Sequence, residues 1–498
     1  MRVSASHAAR WRRACPARSP STSRTTTRLP RTRATPFGRL PLCTSIGSAP
    51  TIARVIPPHE ELVAELAELI AIPSVSADPA HAGDLQRAAE WVAERIRGAG
   101  GTVEILEREG RPFVAGEVPA SNGDGAPAVL AYAHLDVQPP DPLELWESDP
   151  WTLVERNGSL VARGVADDKA HLFMLLEATR LLAAAGDLPV TVRFAIDAEE
   201  ETSGDSAVDW VRADRGPADV ALVLDGGYAT ETLPSFCTAL RGVCYFHVTV
   251  RTGVRDLHSG LYGGAALPAT HAILRVLSAV LPGADGLLPA PLREGVLAPT
   301  GAEVDGWSVL PSGAEELAAD GARPNDTRAA AEFRLRTTAE PSVTVNGVEG
   351  GSPRLMKTVL PVEARANVSM RLAPGQTTAA IAPVFERLLR DAAPEGATVD
   401  VELLATAEPG FVEPGSRAVV LAQDAFEQVL GVRPVLVRSG GSIPVVEVIT
   451  ARGIPTVVTG FARPTAQMHS PNEHIPSSAL REGVATTVEV LRRFGQLG

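Results

Sequence analysis

The 498-residue chain has few cysteines, few aromatic residues and no apolar run as long as a membrane span. Its cysteines, Cys15, Cys43, Cys237 and Cys244, form neither a Cys-x-x-Cys metal motif nor the dense spacing of a disulfide scaffold. Aromatic residues make up only 4% of the chain, but hydrophobic residues make up 45%, which is enough for a packed core. The composition therefore indicates an ordinary globular protein, for which we expect a cytoplasmic location.

Lysine is almost absent, because Lys169 and Lys357 stand against 44 arginines. A lysine inside a motif is therefore a notable choice in this chain. Acidic residues outnumber basic ones by 59 to 46, which gives a formal net charge of -13. Such a charge opposes binding to nucleic acid or to an anionic membrane, so we expect neither as a partner.

The first part of the chain contains no acidic residue before Glu60, while residues 1–50 contain ten arginines. This composition is typical of an organellar transit peptide. It also arises when a leader is translated from a wrongly assigned start codon in a GC-rich gene, which is the interpretation we favour. We predict that residues 1–54 form a disordered arm without a part in the chemistry.

Helical and strand-like segments alternate along most of the chain. Apolar residues recur at helical spacing in residues 59–72 and 84–100. Apolar strand-like runs follow at residues 127–137, 190–198 and 218–226, with helical segments between them. This alternation predicts an α/β fold, in which a mostly parallel sheet carries helices on both faces.

The pattern changes between residues 241 and 405. Alternating, half-buried strands are indicated at residues 244–252, 341–351, 364–374 and 398–404, which predicts a smaller α+β unit with an antiparallel sheet. After residue 405 the α/β pattern returns. We therefore predict a catalytic domain over 55–240 and 406–498, interrupted by an inserted α+β domain over 241–405.

Polar residues gather where the predicted parallel strands end, which is where α/β proteins bind ligands. His134 and Asp136 close one strand and point the same way, so His134 could bind a metal ion while Asp136 orients its imidazole. The alternative is an ordinary polar strand end. Asp167, Asp168 and Lys169 precede an apolar helix, where they either cap it or place one carboxylate against a dication.

Three further elements complete this set. Glu199, Glu200 and Glu201 follow a buried strand; such a triplet is usually a solvated helix start, but like charges at a buried strand end repel unless a cation is present. Asp225 ends another apolar strand, and His469 lies in a loop near the C-terminus, where a single histidine is commonly without a special role.

Together these residues supply two histidines, several carboxylates and no cysteine. This donor set suits Zn²⁺, with Mn²⁺ or Co²⁺ as alternatives. One bridging carboxylate, with one histidine and one carboxylate for each ion, is enough to hold two divalent metal ions. A neighbouring glutamate would then deprotonate a water molecule. Neither a Gly-x-Ser-x-Gly motif nor a phosphate-binding loop competes with this interpretation.

Nine segments in this order resemble the M20 family of metallopeptidases, in particular its carnosinase-like and non-specific dipeptidase branch. They span about residues 60 to 490 and read AHLDVQPP, ARGVADDKA, DAEEETSG, LVLDGG, DLHSGLYGG, SVTVNGVEGG, SMRLAP, RSGGSIPV and QMHSPNE.

The resemblance implies a role for each residue of the set. The metal ligands would be His134, Asp167, Glu201, Asp225 and His469. Asp167 would bridge the two ions and be joined to Asp168 by a cis peptide bond.

The resemblance also implies that Asp136 contacts His134 on the side away from the metal ion, and that Glu200 is the general base. The register rests on matching the strand before the glutamates, and a slip of one residue would move the two glutamate roles to Glu199 and Glu200.

In this family the inserted domain acts as a lid and forms a homodimer. His258 resembles the histidine that reaches the partner's site and stabilises an oxyanion. Arg371 and Asn346 resemble residues that hold the substrate, Arg371 through the free carboxylate; Gly441 and Ser442 would approach the same end. Taken by spacing alone, Arg371 would be an ordinary arginine on a strand surface.

These expectations describe a homodimeric hydrolase that cleaves the amide bond of dipeptides or similar small peptides. An alternative is a deacylase of N-acyl amino acids, of the acetylornithine deacetylase or succinyl-diaminopimelate desuccinylase type, although the VNGVEGG and DLHSGLYGG segments favour a dipeptidase. A catalytically silent, peptide-binding homologue is a further alternative, but such a protein would be expected to have lost Glu200 or a ligand.

Overall fold

The computed structural model describes residues 56–108, 110–123, 125–202, 204–441 and 443–497. The predicted arm over 1–54 and the predicted substrate residue Ser442 lie outside this part of the chain. Within it, none of the helices combines the length and the apolar character needed to cross a membrane.

The helices of the described residues are numbered in chain order. They are α1 His59–Ile70, α2 Ala82–Gly98, α3 Lys169–Ala184, α4 Ser206–Ala213, α5 Ser259–Tyr262, α6 Ala269–Ser278, α7 Gly301–Trp307, α8 Gly313–Ala319, α9 Thr378–Asp391, α10 Arg417–Leu430, α11 Pro444–Ala451 and α12 Ser477–Phe494.

The strands are numbered in the same way. They are β1 Thr102–Arg108, β2 Arg111–Val118, β3 Ala128–His134, β4 Val154–Arg156, β5 Ser159–Val161, β6 Thr191–Asp197, β7 Val220–Val223, β8 Ser235–Leu240, β9 Gly242–Arg251, β10 Leu257–His258, β11 Ser342–Glu349, β12 Val359–Leu360, β13 Glu363–Leu372, β14 Thr398–Ala407, β15 Gly410–Phe411, β16 Val435–Ser439, β17 Thr456–Val458 and β18 His474–Pro476.

The central sheet has the strand order β1-β2-β6-β3-β7-β17. Strands β6, β3, β7 and β17 run parallel, while β1 and β2 form an antiparallel edge. Every residue of β3 is buried, as expected for a continuous apolar run in a parallel sheet with both faces covered. The predicted α/β class with a mostly parallel sheet is confirmed.

Two groups of helices pack against this sheet. Helices α1, α2, α3, α10 and α12 contact one another, and α4 packs with α11 in a separate group. Helix α3 is buried on nearly all sides because it lies between the sheet and α1, α2 and α12. The sheet and these helices share one hydrophobic core.

A second sheet, with the order β11-β13-β9-β14, is antiparallel throughout. Its two central strands, β9 and β13, alternate between more and less buried residues along most of their length, since α6 and α9 cover one face. The buried residues form a hydrophobic core separate from that of the central sheet. This separate core agrees with an inserted α+β domain, whose boundaries at 241 and 405 stay a prediction.

The central sheet determines where the polar residues meet. Strands β3, β6 and β7 are parallel neighbours, so their carboxyl ends lie along one edge. His134 ends β3, Glu200 and Glu201 form a short 3₁₀ turn after β6, and Asp225 lies just beyond β7.

Candidate metal centre

Two groups of potential metal ligands lie at this edge of the sheet. One consists of His134, Asp167 and Asp225, and the other of Asp167, Glu201 and His469. In each group the potential ligand atoms lie within 4.8 Å of one another. All five side chains that the sequence predicts as ligands therefore occur in these groups.

Asp167 belongs to both groups, and each of its oxygens faces a different histidine. Its Oδ1 lies 3.0 Å from Nε2 of His134, and its Oδ2 lies 2.9 Å from Nε2 of His469. Glu201 Oε2 lies 3.1 Å from the same nitrogen of His469. The single carboxylate of Asp167 thus connects the two groups.

Asp136 contacts one ligand residue of each group. The Nδ1 atom of His134 lies 3.1 Å from the main-chain oxygen of Asp136 and 3.4 Å from its Oδ1. The other carboxylate oxygen, Oδ2, accepts the main-chain N–H of Glu201 at 3.1 Å. One buried aspartate therefore orients a histidine of the first group and fixes the turn that carries Glu201.

Asp168 is not a member of either ligand group, but its Oδ2 accepts the main-chain N–H of His134 at 3.3 Å. Phe461 donates its main-chain N–H to Nε2 of His171 at 2.8 Å, so Nδ1 carries the proton and donates to Asp168 Oδ1 at 2.6 Å. Burial lowers the pKa of His171 to about 4, which keeps this imidazole neutral. The Asp167–Asp168 peptide bond is cis, as the resemblance predicts.

Lys169, the first residue of α3, forms hydrogen bonds with the main chain at the end of α1. Its buried ammonium group donates to the main-chain oxygens of Leu69 at 3.1 Å and Ile72 at 2.5 Å. Burial lowers the pKa of Lys169 to about 7. The rare lysine therefore has structural partners, and within the described residues its ammonium group makes no hydrogen bond or ion pair with the ligand groups.

Glu473 was not assigned a role from the sequence, although the QMHSPNE segment contains it. Its buried carboxylate accepts Nη1 of Arg163 at 2.6 Å and the main-chain N–H groups of Gly164, Ala166 and Asp167 at 3.0, 2.7 and 3.1 Å. The carboxylate thereby holds the loop that presents Asp167.

Gly164 is required in that loop. Its φ of +80° lies in the left-handed region, and an added Cβ would lie 2.6 Å from Cγ1 of Val137. The glycine in this strand-to-helix loop is a sequence signal that could have indicated the close approach. The sequence contains no comparable signal for Glu473, because only the fold brings it to the loop.

The carboxylates of the centre strongly affect one another's protonation. Burial raises the pKa of Asp225 well above its usual range, and the neighbouring carboxylates raise it further. Burial and nearby acids also raise the pKa of Glu200. Burial would likewise raise the pKa of Asp167, but hydrogen bonds from His134 and His469 lower it below its usual range. Crowded carboxylates of this kind favour a bound cation.

The residues predicted to hold the substrate lie outside the two groups. Arg371 is half-buried at the end of β13, opposite Val243 and Ser342, and Asn346 is exposed at a bulge in β11. The main-chain oxygen of Gly441 accepts the N–H of Arg241 at 3.1 Å. This hydrogen bond connects the loop after β16 to the residue that precedes β9.

His258 lies on β10, in the region of the predicted inserted domain. Its side chain is exposed, and Nδ1 accepts the main-chain N–H of Gly260 at 3.0 Å. It belongs to neither ligand group of the described residues.

Comparison with known proteins gives consistent matches. Residues 130–493 match the model of peptidase family M20/M25/M40. The cysteinylglycine-S-conjugate dipeptidase of Corynebacterium striatum is 28% identical over 451 residues, which cover 88% of this chain and 97% of the relative. The Cys-Gly metallodipeptidase dug1 of Schizosaccharomyces pombe is 29% identical over 417 residues, which cover 78% and 85%.

The same fold occurs in the solved structure of the dipeptidase Dug1p from Saccharomyces cerevisiae. The TM-score is 0.70 at 22% sequence identity, and the match covers 90% of this chain and 99% of that protein. Because the family model covers most of the chain, this protein belongs to peptidase family M20/M25/M40.

Proposed function

We propose that this protein is a dipeptidase that holds two divalent metal ions through the ligand groups that share Asp167. The observation that carries this proposal is the position of one carboxylate between His134 on one side and His469 on the other. The names of the two relatives, a Cys-Gly metallodipeptidase and a cysteinylglycine-S-conjugate dipeptidase, support a dipeptide substrate.

The residues present fit such a pair of ions. Glu201 Oε1 and Asp136 Oδ1 are buried without a hydrogen-bond partner among the described residues. Glu201 Oε1 is therefore available to bind a metal ion in the second group. The histidines and carboxylates around it are ligands that Zn²⁺, Mn²⁺ and Co²⁺ accept. We propose Zn²⁺ as the native ion. The ligand groups include Glu201 rather than Glu199, which supports the register chosen for the three glutamates.

When bound, the ions would polarise the scissile carbonyl and lower the pKa of a water molecule. Glu200 lies beside the ligands, and burial raises its pKa, so its carboxylate is suited to accept a proton from water and return it to the leaving amine. His134 would be held by Asp136 in the orientation that presents Nε2, and Asp167 would be held by Glu473 through the main chain.

Arg371 would bind the free carboxylate of the dipeptide. Arg371 has no ion-pair partner among the described residues. The pKa of the neighbouring Arg241 is lowered to about 10, mainly because Arg241 is buried and also because Arg371 carries a positive charge. Two neighbouring guanidinium groups that have no carboxylate at ion-pair distance among the described residues favour an anion. Asn346 and the loop at Gly441 and Ser442 would complete the substrate site.

A second copy of the chain would contribute His258, whose exposed imidazole is available for an oxyanion in the partner's site. We therefore propose a homodimer formed through the inserted domain. We also propose a cytoplasmic location, which the free thiols of Cys237 and Cys244 support.

Hydrolysis of unblocked dipeptides beside N-acetyl and N-succinyl amino acids tests the proposed reaction. Amino-acid release from the dipeptides by the metal-loaded protein is expected, with little release from the acylated compounds. Preference for the acylated compounds would make the enzyme a deacylase, and absence of turnover with bound metal would support a silent homologue.

A further inference from the structure

A cavity of about 270 Å³ lies beside the candidate metal centre. Asp225 of the first ligand group lines it, and so does Met468, which directly precedes His469 of the second group. A group of the substrate can therefore enter this cavity while the scissile bond lies at the centre. Arg463 also lines this cavity.

Arg463 differs from the other well-buried arginines. Its residue is 9% exposed, and within the described chain it has no carboxylate at ion-pair distance. Arg163, Arg193 and Arg438 each pair with an acid. Arg241 has no acid either, but it donates to three main-chain oxygens and to Ser342.

The contacts of Arg463 are few. One nitrogen, Nη1, donates to the main-chain oxygen of Phe461 at 3.3 Å, and the guanidinium carbon lies 3.3 Å from the centre of the Tyr228 ring. The aromatic face offsets part of the cost of burying the charge. A guanidinium group has five N–H donors in a planar fork, so most of its hydrogen-bonding capacity is still available for a carboxylate.

Among the described residues, the rest of the cavity wall provides no carboxylate at ion-pair distance from this charge. Tyr228, Cys237 and Ser439 are uncharged near neutral pH, and burial raises the pKa of the Cys237 thiol to about 11. Asp225 is the acid among the described residues of the wall, and its carboxyl group belongs to the first ligand group. A buried cation that faces such a cavity is best neutralised by an anionic ligand.

We propose that Arg463 binds a side-chain carboxylate of the substrate, so that the enzyme prefers dipeptides containing glutamate or aspartate over their amides. This inference rests on the proposed dipeptidase function and adds the substrate class. The α-carboxylate is assigned to Arg371, which lies on β13 and does not line this cavity. Arg463 therefore acts on the second acidic group of the substrate.

Matched pairs of peptides test the preference, because glutamate and glutamine have nearly the same shape. We would measure kcat/KM for Glu-Ala against Gln-Ala and for Ala-Glu against Ala-Gln. At one of the two positions the acid should be preferred roughly tenfold or more, the usual effect of a hydrogen bond to a charged group. Equal values at both positions would overturn the proposal.

Variants separate recognition from folding. Arg463→Gln should reduce the acid-to-amide ratio to near one, and Arg463→Lys, which keeps the charge, should restore part of it. Arg433→Gln, at an exposed arginine paired with Asp424 and Glu427, should leave the ratio unchanged. An equal loss for both peptides in Arg463→Gln would mean that Arg463 has only a structural role.

Binding distinguishes a wrong specificity from a wrong reaction. The metal-loaded Glu200→Gln variant can be titrated calorimetrically with the same peptides, whether or not the unmodified enzyme hydrolyses them. Tighter binding of the glutamate peptide would support the site even if hydrolysis failed. Equal binding of acid and amide would refute the Arg463 site even if dipeptides were hydrolysed.

Discussion

Glu473 offers the sharpest test of how the centre is built. The change Glu473→Gln keeps the size of the side chain but replaces one acceptor oxygen by an NH₂ group. Each carboxylate oxygen now accepts two donors: Oε2 from Arg163 and Gly164, and Oε1 from Ala166 and Asp167. In the variant, two of these donors would face another donor.

The size of the effect follows from burial. Glu473 is fully buried and Arg163 is 1% exposed, so solvent cannot replace the lost contacts. Breaking a buried ion pair by changing one partner destabilises a protein by roughly 3–5 kcal/mol. That is a large part of the roughly 5–15 kcal/mol by which native proteins are stable. Because the carboxylate also holds the N–H of Asp167, metal affinity should fall by roughly 10- to 100-fold.

Two measurements check this prediction. Urea unfolding of the metal-free protein should show a clearly lower midpoint in Glu473→Gln, and zinc titration of the folded variant should show weaker binding. Glu94→Gln is the control, because Glu94 is exposed on α2, and it should change neither value. An unchanged midpoint and unchanged zinc affinity in Glu473→Gln would refute the supporting role of this residue.

Three further predictions concern the base, the ligands and a second buried ion pair. Glu200→Gln should reduce kcat by at least roughly 100-fold, the usual contribution of a general base, while elemental analysis still finds the metal; normal turnover would remove Glu200 from the mechanism. Zinc binding near pH 7 should release protons, because hydrogen bonds to Asp167 and Glu201 raise the pKa of His469 to about 10, and calorimetry in buffers of different ionisation enthalpy should detect them. Affinity should therefore fall as the pH is lowered, and a pH-independent affinity would contradict the assignment. Burial opposes ionisation of Glu303, but hydrogen bonds from Arg438 and other donors lower its pKa to about 2. Its contribution to stability, roughly 3 kcal/mol, is complete above the unfolded pKa near 4.5 and is lost as the pH falls toward 2, so the difference between the unmodified protein and Glu303→Gln should shrink over that range. A constant difference in urea unfolding between pH 2 and 5 would contradict this.

The central sheet could be predicted because its signal is local. The continuous apolar runs that become β3, β6 and β7 are buried on both faces, and the polar residue at the end of each strand is visible in the sequence. The rule that parallel strands place their carboxyl ends at one edge then predicts that His134 and Asp225 meet. Asp167 and His469 are also candidates from the sequence, but their loops have no such regular pattern, and the family resemblance supplies their roles as ligands.

Other features depend on contacts that no local pattern records. Glu473 lies more than 300 positions from the loop that it holds, and Arg438 pairs with Glu303, which lies 135 positions earlier in the chain. The short helices α7 and α8 also lack extended apolar periodicity, and their capping residues, Thr300 and Ser312, are the local signals that define them. Arg463 is an ordinary loop arginine in sequence, and only the fold shows that it lines a cavity without an ion-pair partner among the described residues.

The most direct test of the central claim is a zinc titration of the metal-free protein, followed by the rate of amino-acid release from an unblocked dipeptide. The shared carboxylate of Asp167 predicts that activity appears on addition of zinc and reaches its maximum at two equivalents per chain. Activity that is independent of zinc, or a protein that binds two ions and releases no amino acid from any dipeptide, would contradict a two-metal dipeptidase.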